Sequence, residues 1–194
     1  TEETCRRFGY RIGRFKSQVC HIAEYREIGT GAVIAQKIRL ADKTDMPFLG
    51  AKPARCMLFG QHLWRTGGDW IVVTEGEIDA LSVGQVFPTR PVVSVIRGAD
   101  GAEKDLKQHL EFLESFKNII LCFDNDKAGR EAVARCAPLF TPGKVKVAFT
   151  VPTAQPILYP AAPVAASVPV DVPKGFSGKF VWPLSGSLLT EIIF

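Results

Sequence analysis

Short apolar runs alternate with helical patterns between residues 69 and 150, and this alternation constrains the fold more than any other feature. Each run has the length of a strand buried on both faces, and apolar residues at helical spacing follow it. The predicted strands are Ile71–Thr74, Pro91–Ile96, Ile119–Phe123 and Val145–Phe149. The predicted helices are Ile78–Phe87, Glu103–Phe116 and Lys127–Leu139. Because such alternation is typical of α/β domains, we expect a parallel four-stranded sheet flanked by helices over residues 69–150.

Residues 1–68 follow a different pattern, in which apolar and polar residues alternate as in half-buried strands. Cys20–Glu27 and Ala32–Leu40 are predicted strands, and Gly29–Gly31 is the predicted hairpin connection. Up to residue 70 the chain has twelve Lys and Arg against seven Asp and Glu. We therefore expect a small basic α+β subdomain that binds a polyanion, although the charge alone also fits a solvated surface.

The last segment, residues 151–194, differs in composition from the rest of the chain. It contains seven of the 13 prolines, many Ala and Val residues and only four charged residues. No helical or strand period persists there, so we expect either a disordered tail or a non-native end. The chain also begins with Thr1 instead of Met, as a piece of a longer protein would.

Cysteine usage and hydropathy limit where the chain can reside. The five cysteines show no CxxC spacing, so a zinc site is not expected, and their odd number without a signal peptide indicates a reducing compartment. No apolar run reaches the roughly 18 residues of a membrane span, so we expect a cytoplasmic protein without a membrane partner.

Acidic residues follow two of the predicted strands. Glu75, Glu77 and Asp79 come after the first strand, and Asp124 and Asp126 come after the third. Because parallel strands end at one edge of a sheet, these carboxylates should lie close together. Carboxylates this close repel one another unless a cation compensates, and Mg²⁺ prefers oxygen ligands together with substrate phosphates. The pattern predicts a metal site for phosphoryl transfer, in which Glu75 is either a ligand or a general base or acid.

Each acid also has a structural explanation. Asp126 can cap the helix that begins at Lys127, and Glu77 and Asp79 can stabilise a helix N-terminus through its dipole. Two acidic clusters that each follow an apolar strand favour the metal site. An EF-hand is excluded because its twelfth position is Arg135 instead of Glu.

A predicted loop at Arg97–Gly101 follows the second strand and should lie at the same edge. Arg97 and Lys104 can contact a phosphate there, but a plain surface loop fits equally well. No GxxxxGK[ST] sequence occurs in the chain, so it has no P-loop.

The acidic motifs resemble those of a known domain. Val73–Leu81 (VTEGEIDAL) and Phe123–Arg130 (FDNDKAGR) resemble the two motifs of the Toprim domain, which DnaG-type primases, type IA and type II topoisomerases and some nucleases share. The basic half is similar to the primase part of T-odd phage primase-helicases and their mitochondrial Twinkle relatives. The matching stretches there are Phe8–Ile12, Ala35–Arg39 and Leu58–Trp64.

The resemblance implies a DNA primase, a nucleotidyltransferase that synthesises RNA primers on single-stranded DNA with Mg²⁺ or Mn²⁺. It implies catalytic roles for Glu75, Asp124 and Asp126, which also bind metal, with Glu77 and Asp79 as accompanying metal-binding acids. It further implies that basic residues line the groove for template and nucleotide. These are Lys37, Arg39, Lys52 and Arg55.

The implied partners are single-stranded DNA, nucleoside triphosphates and a helicase domain or subunit. The implied location is the cytoplasm of a phage-infected or bacterial cell rather than an organelle. The sequence departs from the family pattern because the zinc module, the helicase part and the acidic segment after residue 149 are absent. Two alternatives therefore stay open: an inactive single-stranded DNA-binding module, or a Toprim nuclease or topoisomerase.

Overall fold

The computed structural model describes residues 1–40 and 46–150, which form two four-stranded sheets and five α-helices. The helices are α1 (Glu2–Phe8), α2 (Glu77–Val86), α3 (Gly98–Gln108), α4 (Leu110–Glu114) and α5 (Lys127–Cys136). The strands are β1 (Tyr10–Phe15), β2 (Gln18–Arg26), β3 (Val33–Leu40), β4 (Phe48–Gly50), β5 (Gly68–Thr74), β6 (Val92–Ser94), β7 (Phe116–Asp124) and β8 (Val145–Thr150). The predicted tail, residues 151–194, lies outside the described residues. Within the described part, no helix is long and apolar enough to cross a membrane.

An antiparallel sheet of order β1-β2-β3-β4 forms the N-terminal part of the protein. Strands β2 and β3 confirm two sequence predictions, and the turn between them contains Gly29 and Gly31 at φ values of 89° and 72°. This left-handed backbone favours glycine, which has no Cβ to clash. Helix α1 and strands β1 and β4 were missed. Helix α1 and β4 have only seven and three residues, and the alternation of β1 is interrupted at Gly13 and Arg14.

The second sheet is parallel throughout and has the order β6-β5-β7-β8, which confirms the predicted four-stranded parallel sheet. Its central strands are β5 and β7, with Thr74 paired to Cys122 near their ends. Ile71 and its same-face neighbours pack against α3, α4 and α5, whereas Val72 and Ile120 pack against α2 and the N-terminal sheet. Both faces are buried, and for this reason the strands appear as continuous apolar runs in the sequence.

The predicted helix Glu103–Phe116 and the predicted loop at Arg97–Gly101 were both wrong in detail. Helix α3 already begins at Gly98 and ends before His109, where the chain bends and α4 follows. The buried carboxylate of Asp105 explains the early start, because its Oδ2 accepts hydrogen bonds from the amides of Ile96 and Arg97 at 2.8 and 2.9 Å. This contact joins residues that are eight and nine positions apart in the sequence, across about two helical turns, so no local period in the sequence indicates it.

A shared core joins the two sheets. Phe8 from α1 and Tyr25 from β2 each pack against Phe59, with ring centroids 5.9 Å apart. The backbone of Phe59 exchanges two hydrogen bonds of 3.0 Å with Ser94 on the edge strand β6. The segment that connects the sheets therefore covers an edge of the parallel sheet and fixes the N-terminal sheet against it.

We predict that Gly129→Ala destabilises the protein by about 1–3 kcal/mol or more, although Ala favours helix. A Cβ at Gly129 would overlap the carbonyl oxygen of Asp124 and lie 3.0 Å from its carbonyl carbon, so α5 would have to move away from β7. Urea unfolding measures the loss. Ala134→Gly at an exposed position of α5 is the control and should cost no more than about 1 kcal/mol. A gain of stability in Gly129→Ala would contradict the close approach.

Candidate active site

Two acidic side chains meet where the central strands of the parallel sheet end. Glu75 directly follows β5, and Asp124 is the last residue of the neighbouring strand β7. The amide of Asp124 donates a hydrogen bond of 3.4 Å to Oε2 of Glu75. The register of these two strands therefore brings the first and second acidic motifs to the same rim of the sheet.

Asp79 joins this rim from the first turn of α2. Its carboxylate accepts a hydrogen bond from the amide of Gly76, the residue that caps the helix. A Cβ at Gly76 would lie 2.8 Å from Oδ2 of Asp79, so a side chain there would displace the carboxylate. The hydroxyl of Thr74 also donates to the carbonyl of Gly76 at 3.1 Å and fixes the turn. The sequence EGEID therefore turns tightly enough to direct Asp79 back towards Glu75.

Two carboxyl groups at the rim, those of Asp79 and Glu75, have raised pKa values. Burial raises the pKa of Asp79 to about 7, and the charges of Asp124, Glu75 and Glu77 add to the rise. Burial also raises the pKa of Glu75, with further contributions from Asp124 and Asp126, while the amides of Asp124 and Ala99 oppose it. Glu75, Asp79 and Asp124 thus share one electrostatic environment that a cation would stabilise.

Asp126 has the capping role that its sequence position allows. Its Oδ1 accepts a hydrogen bond of 2.8 Å from the amide of Gly129, and this bond closes the first turn of α5. Asp126 keeps this capping position close to the rim, because its charge contributes to the raised pKa of Glu75. Capping and a place beside the acidic rim are therefore compatible for this residue.

Glu77 has partners from the N-terminal sheet. The hydroxyl of Tyr25 and the ammonium group of Lys37 both donate to Oε1 of Glu77, the latter at 2.8 Å. The Glu77 side chain is only 9% exposed, and that of Lys37 is 17% exposed. Glu77, one of the five predicted metal-binding acids, therefore forms a buried ion pair with Lys37.

The other predicted basic residues are spread over the surface. Arg97 pairs with the buried carboxylate of Asp105, and Arg55 pairs with Glu27 in the N-terminal sheet. Lys52 and Lys104 are exposed, and Arg39 lies half-buried on β3. Two of the six predicted basic residues lie at the segment between β6 and α3. Lys37 donates to the carbonyl of Ile96 in this segment, and Arg97 belongs to it.

Sequence reasoning missed two residues that organise this region, Tyr25 and Asp105. Tyr25 alternates with Ala23 on the buried face of β2, where a phenol hydroxyl needs a buried partner, and this was the available signal. Asp105 lies beside Leu106 in an amphipathic pattern and gave no signal.

Within residues 1–40 and 46–150, no group of three His, Cys, Asp or Glu side chains is arranged to hold a metal ion.

Comparisons with known proteins agree with this arrangement. Residues 72–155 match the family described as Toprim-like, and residues 1–47 match the N-terminal α+β fold of the bacteriophage T7 DNA helicase/primase. The chain belongs to the Toprim-like primase family of T7-type helicase/primases. The resemblance seen in the sequence and the predicted fold class are thereby confirmed.

Relatives of this primase family cover most of the described chain. The DNA helicase/primase of Enterobacteria phage T3 is 41% identical over 149 residues, which are 76% of this chain and 26% of that protein. The chain therefore spans about a quarter of the length of this curated relative.

Two solved structures have the same fold. The primase fragment of the bacteriophage T7 primase-helicase superposes with a TM-score of 0.70 at 41% identity, covering 79% of this chain and 61% of that one. The second contains the T7 lagging-strand DNA polymerase with two primase domains bound to an RNA/DNA hybrid and dTTP. It also gives 0.70 at 41% identity, covering 78% of this chain and 74% of that one.

We predict that Asp79→Asn stabilises the metal-free protein above about pH 4 and has no effect at lower pH. The folded-state pKa of Asp79, about 7, exceeds its ordinary value of 3.8, so the folded protein retains a proton that the unfolded chain releases. Stability contributed by this proton is lost as the pH rises through the folded pKa. At pH 8 the gain should be roughly 2–4 kcal/mol, and Asn keeps the oxygen that accepts from Gly76.

Urea unfolding in EDTA at pH 4 and pH 8 measures this gain. Asp100→Asn, an exposed acid in the first turn of α3, is the matched control and should change little at either pH. Equal effects of Asp79→Asn at both pH values would contradict the raised pKa.

Proposed function

We propose that this chain is the primase part of a phage primase-helicase and synthesises RNA primers on single-stranded DNA from nucleoside triphosphates. The observation that carries the proposal is the meeting of Glu75, Asp79 and Asp124 at one rim beside a basic N-terminal sheet. Such a rim suits nucleotidyl transfer, in which negative charge on phosphates must be offset and oriented.

The donor set at the rim fits a divalent cation, Mg²⁺ or Mn²⁺. Asp124 and Asp126 are the proposed ligands, and Glu75 and Asp79 add negative charge beside them. Mg²⁺ needs only one or two carboxylates when water and substrate phosphates complete its shell, so three closely arranged protein ligands are not required. When bound, the ion would offset the charge of a triphosphate and orient its phosphates.

Glu75 is the proposed catalytic carboxylate. It is half-buried, and burial raises its pKa, so it is better suited to accept a proton than an ordinary surface glutamate. In this proposal, Glu75 accepts the proton of the attacking 3′-hydroxyl group. Asp124 and Asp126 would hold the substrate phosphates in line through the bound ion.

The proposed groove for template and nucleotide is lined by the basic residues predicted from the sequence. Lys37 is linked to the starts of α2 and α3, because it contacts both Glu77 and the carbonyl of Ile96. The remaining members present positive charge at greater exposure, which favours contacts with a phosphate backbone. They are Arg39, Lys52, Arg55, Arg97 and Lys104.

The two sheets have different proposed roles. We assign residues 1–68 to nucleic-acid binding and residues 69–150 to catalysis. A helicase domain or subunit is the proposed partner, because the T3 relative is a DNA helicase/primase. A single-stranded DNA template and nucleoside triphosphates are the proposed ligands, and the host-cell cytoplasm is the proposed location. The T7 structure with an RNA/DNA hybrid and dTTP supports these ligands.

A second candidate is a DNA-binding module without catalytic activity. It is favoured by one observation, namely the twelve Lys and Arg against seven Asp and Glu up to residue 70, a charge that suits a phosphate backbone whether or not the rim is active. This candidate predicts salt-dependent binding of single-stranded DNA without Mg²⁺-dependent synthesis.

We predict that Asp124→Asn lowers template-directed dinucleotide synthesis by at least about a hundredfold, because a neutral amide binds Mg²⁺ poorly. Binding of single-stranded DNA should change less than about twofold, since the basic sheet is untouched. Labelled products measure dinucleotide synthesis and fluorescence anisotropy measures DNA binding, both over a magnesium titration. Asp69→Asn is the control, because Asp69 lies near the start of β5 and pairs with Lys117 on the surface.

Each outcome decides between the candidates. Undiminished synthesis by Asp124→Asn contradicts the assignment of the acidic rim. DNA binding without synthesis by the unmodified chain favours the inactive module, and Mg²⁺-dependent cleavage of plasmid DNA favours a Toprim nuclease or topoisomerase.

A further inference from the structure

A buried phenol connects the N-terminal sheet to the acidic rim. Tyr25 is 1% exposed, and its hydroxyl donates to Oε1 of Glu77. Lys37 donates to the same oxygen at 2.8 Å. Tyr25 is paired with Ala35 across β2 and β3, so Lys37, two residues after Ala35, projects from the same face of the sheet. Both donors therefore reach across the shared core to one carboxylate at the start of α2.

Lys37 bridges two segments of the rim. Besides Glu77, its ammonium group donates to the carbonyl of Ile96 at 2.9 Å. The amide of Ile96 is held in turn by Asp105 at 2.8 Å. An ammonium group has three donors, so Lys37 can bind Glu77, Ile96 and a ligand oxygen at the same time. The Lys37 side chain is 17% exposed, so a ligand oxygen has access to that third donor between the start of α2 and the start of α3.

Tyr25 is the rigid member of this group. Its ring packs against Phe48 and Phe59, with centroids 5.1 and 5.9 Å apart, whereas Glu77 and Lys37 have long side chains with several rotamers. A phenol keeps its proton at neutral pH, so the hydroxyl of Tyr25 donates to Glu77. Removing the hydroxyl would leave the carboxylate free to rotate, and Lys37 would lose its fixed counter-charge.

We propose that Tyr25 is a positioning residue for nucleotide binding, which acts through Glu77 to hold the ammonium group of Lys37 against the triphosphate. This inference rests on the proposed function of the rim. It assigns to Tyr25 an indirect role, because the phenol is buried and contacts Glu77 instead of the substrate.

The test measures the dissociation constant of ATP for the 194-residue chain by isothermal titration calorimetry in the presence of Mg²⁺. Tyr25→Phe should raise the dissociation constant about three- to tenfold, the range expected for the net contribution of one typical hydrogen bond. Primer synthesis at saturating nucleotide should fall less than about twofold, so that KM changes and kcat does not. Tyr10→Phe is the matched control: Tyr10 packs on the same Phe59, but its hydroxyl contacts His21 at 3.0 Å.

A double-mutant cycle separates positioning from general stability. In a Lys37→Met background, Tyr25→Phe should leave ATP affinity unchanged, because the group it positions is gone. An effect that persists in that background overturns the proposal, as does an unchanged dissociation constant in Tyr25→Phe accompanied only by a lower Tm. If Lys37→Met does not fold, the comparison of Tyr25→Phe with Tyr10→Phe decides the proposal by itself.

The proposal and the function on which it rests fail in different ways. A chain that binds ATP with the expected pattern but makes no primers contradicts the proposed function and supports the role of Tyr25. A chain that makes primers with equal ATP affinity in Tyr25→Phe overturns the role of Tyr25 alone. Absence of any ATP binding by the unmodified chain overturns both.

Discussion

Parallel pairing of β5 with β7 at the centre of the second sheet determines where the chemistry of this primase-family chain can occur. The register places Thr74, the last residue of β5, opposite Cys122, two residues before the end of β7, so that Glu75 and Asp124 meet at one rim. Burial of both faces holds the register, because a shift by one residue would turn each strand's apolar side chains to the wrong core. The acidic rim is therefore a consequence of how the core packs.

Concentrating carboxylates at this rim costs stability, and the local backbone is built to tolerate it. Gly76 leaves room for the carboxylate of Asp79, and Gly129 lets α5 approach the backbone of Asp124. Burial, together with the charges of Asp124, Glu75 and Glu77, raises the pKa of Asp79 to about 7, so the fold holds this carboxyl group where its charged form is disfavoured. Such an arrangement is typical of sites where a ligand supplies the compensating charge.

The N-terminal sheet does more than add positive charge beside the rim. It shares a core with one face of the parallel sheet, and it places Lys37 and Tyr25 on Glu77 within that core. A buried ion pair contributes little net stability unless its hydrogen bonds are satisfied, but it fixes orientation strongly. The ion pair between Lys37 and Glu77 thus links the alignment of the two sheets to the position of the Lys37 ammonium group.

Local patterns in the sequence determined the parallel sheet, the hairpin of β2 and β3, and the presence of acids after β5 and β7. Periodicity and motif spacing carry that information because each depends on residues close together in the chain. Only the tertiary structure decided that Glu77 pairs with Lys37, that Asp105 starts α3 at Gly98, and that Phe59 pairs with the edge strand β6. These contacts join residues whose separation in sequence gives no period, and burial in a shared core selects them.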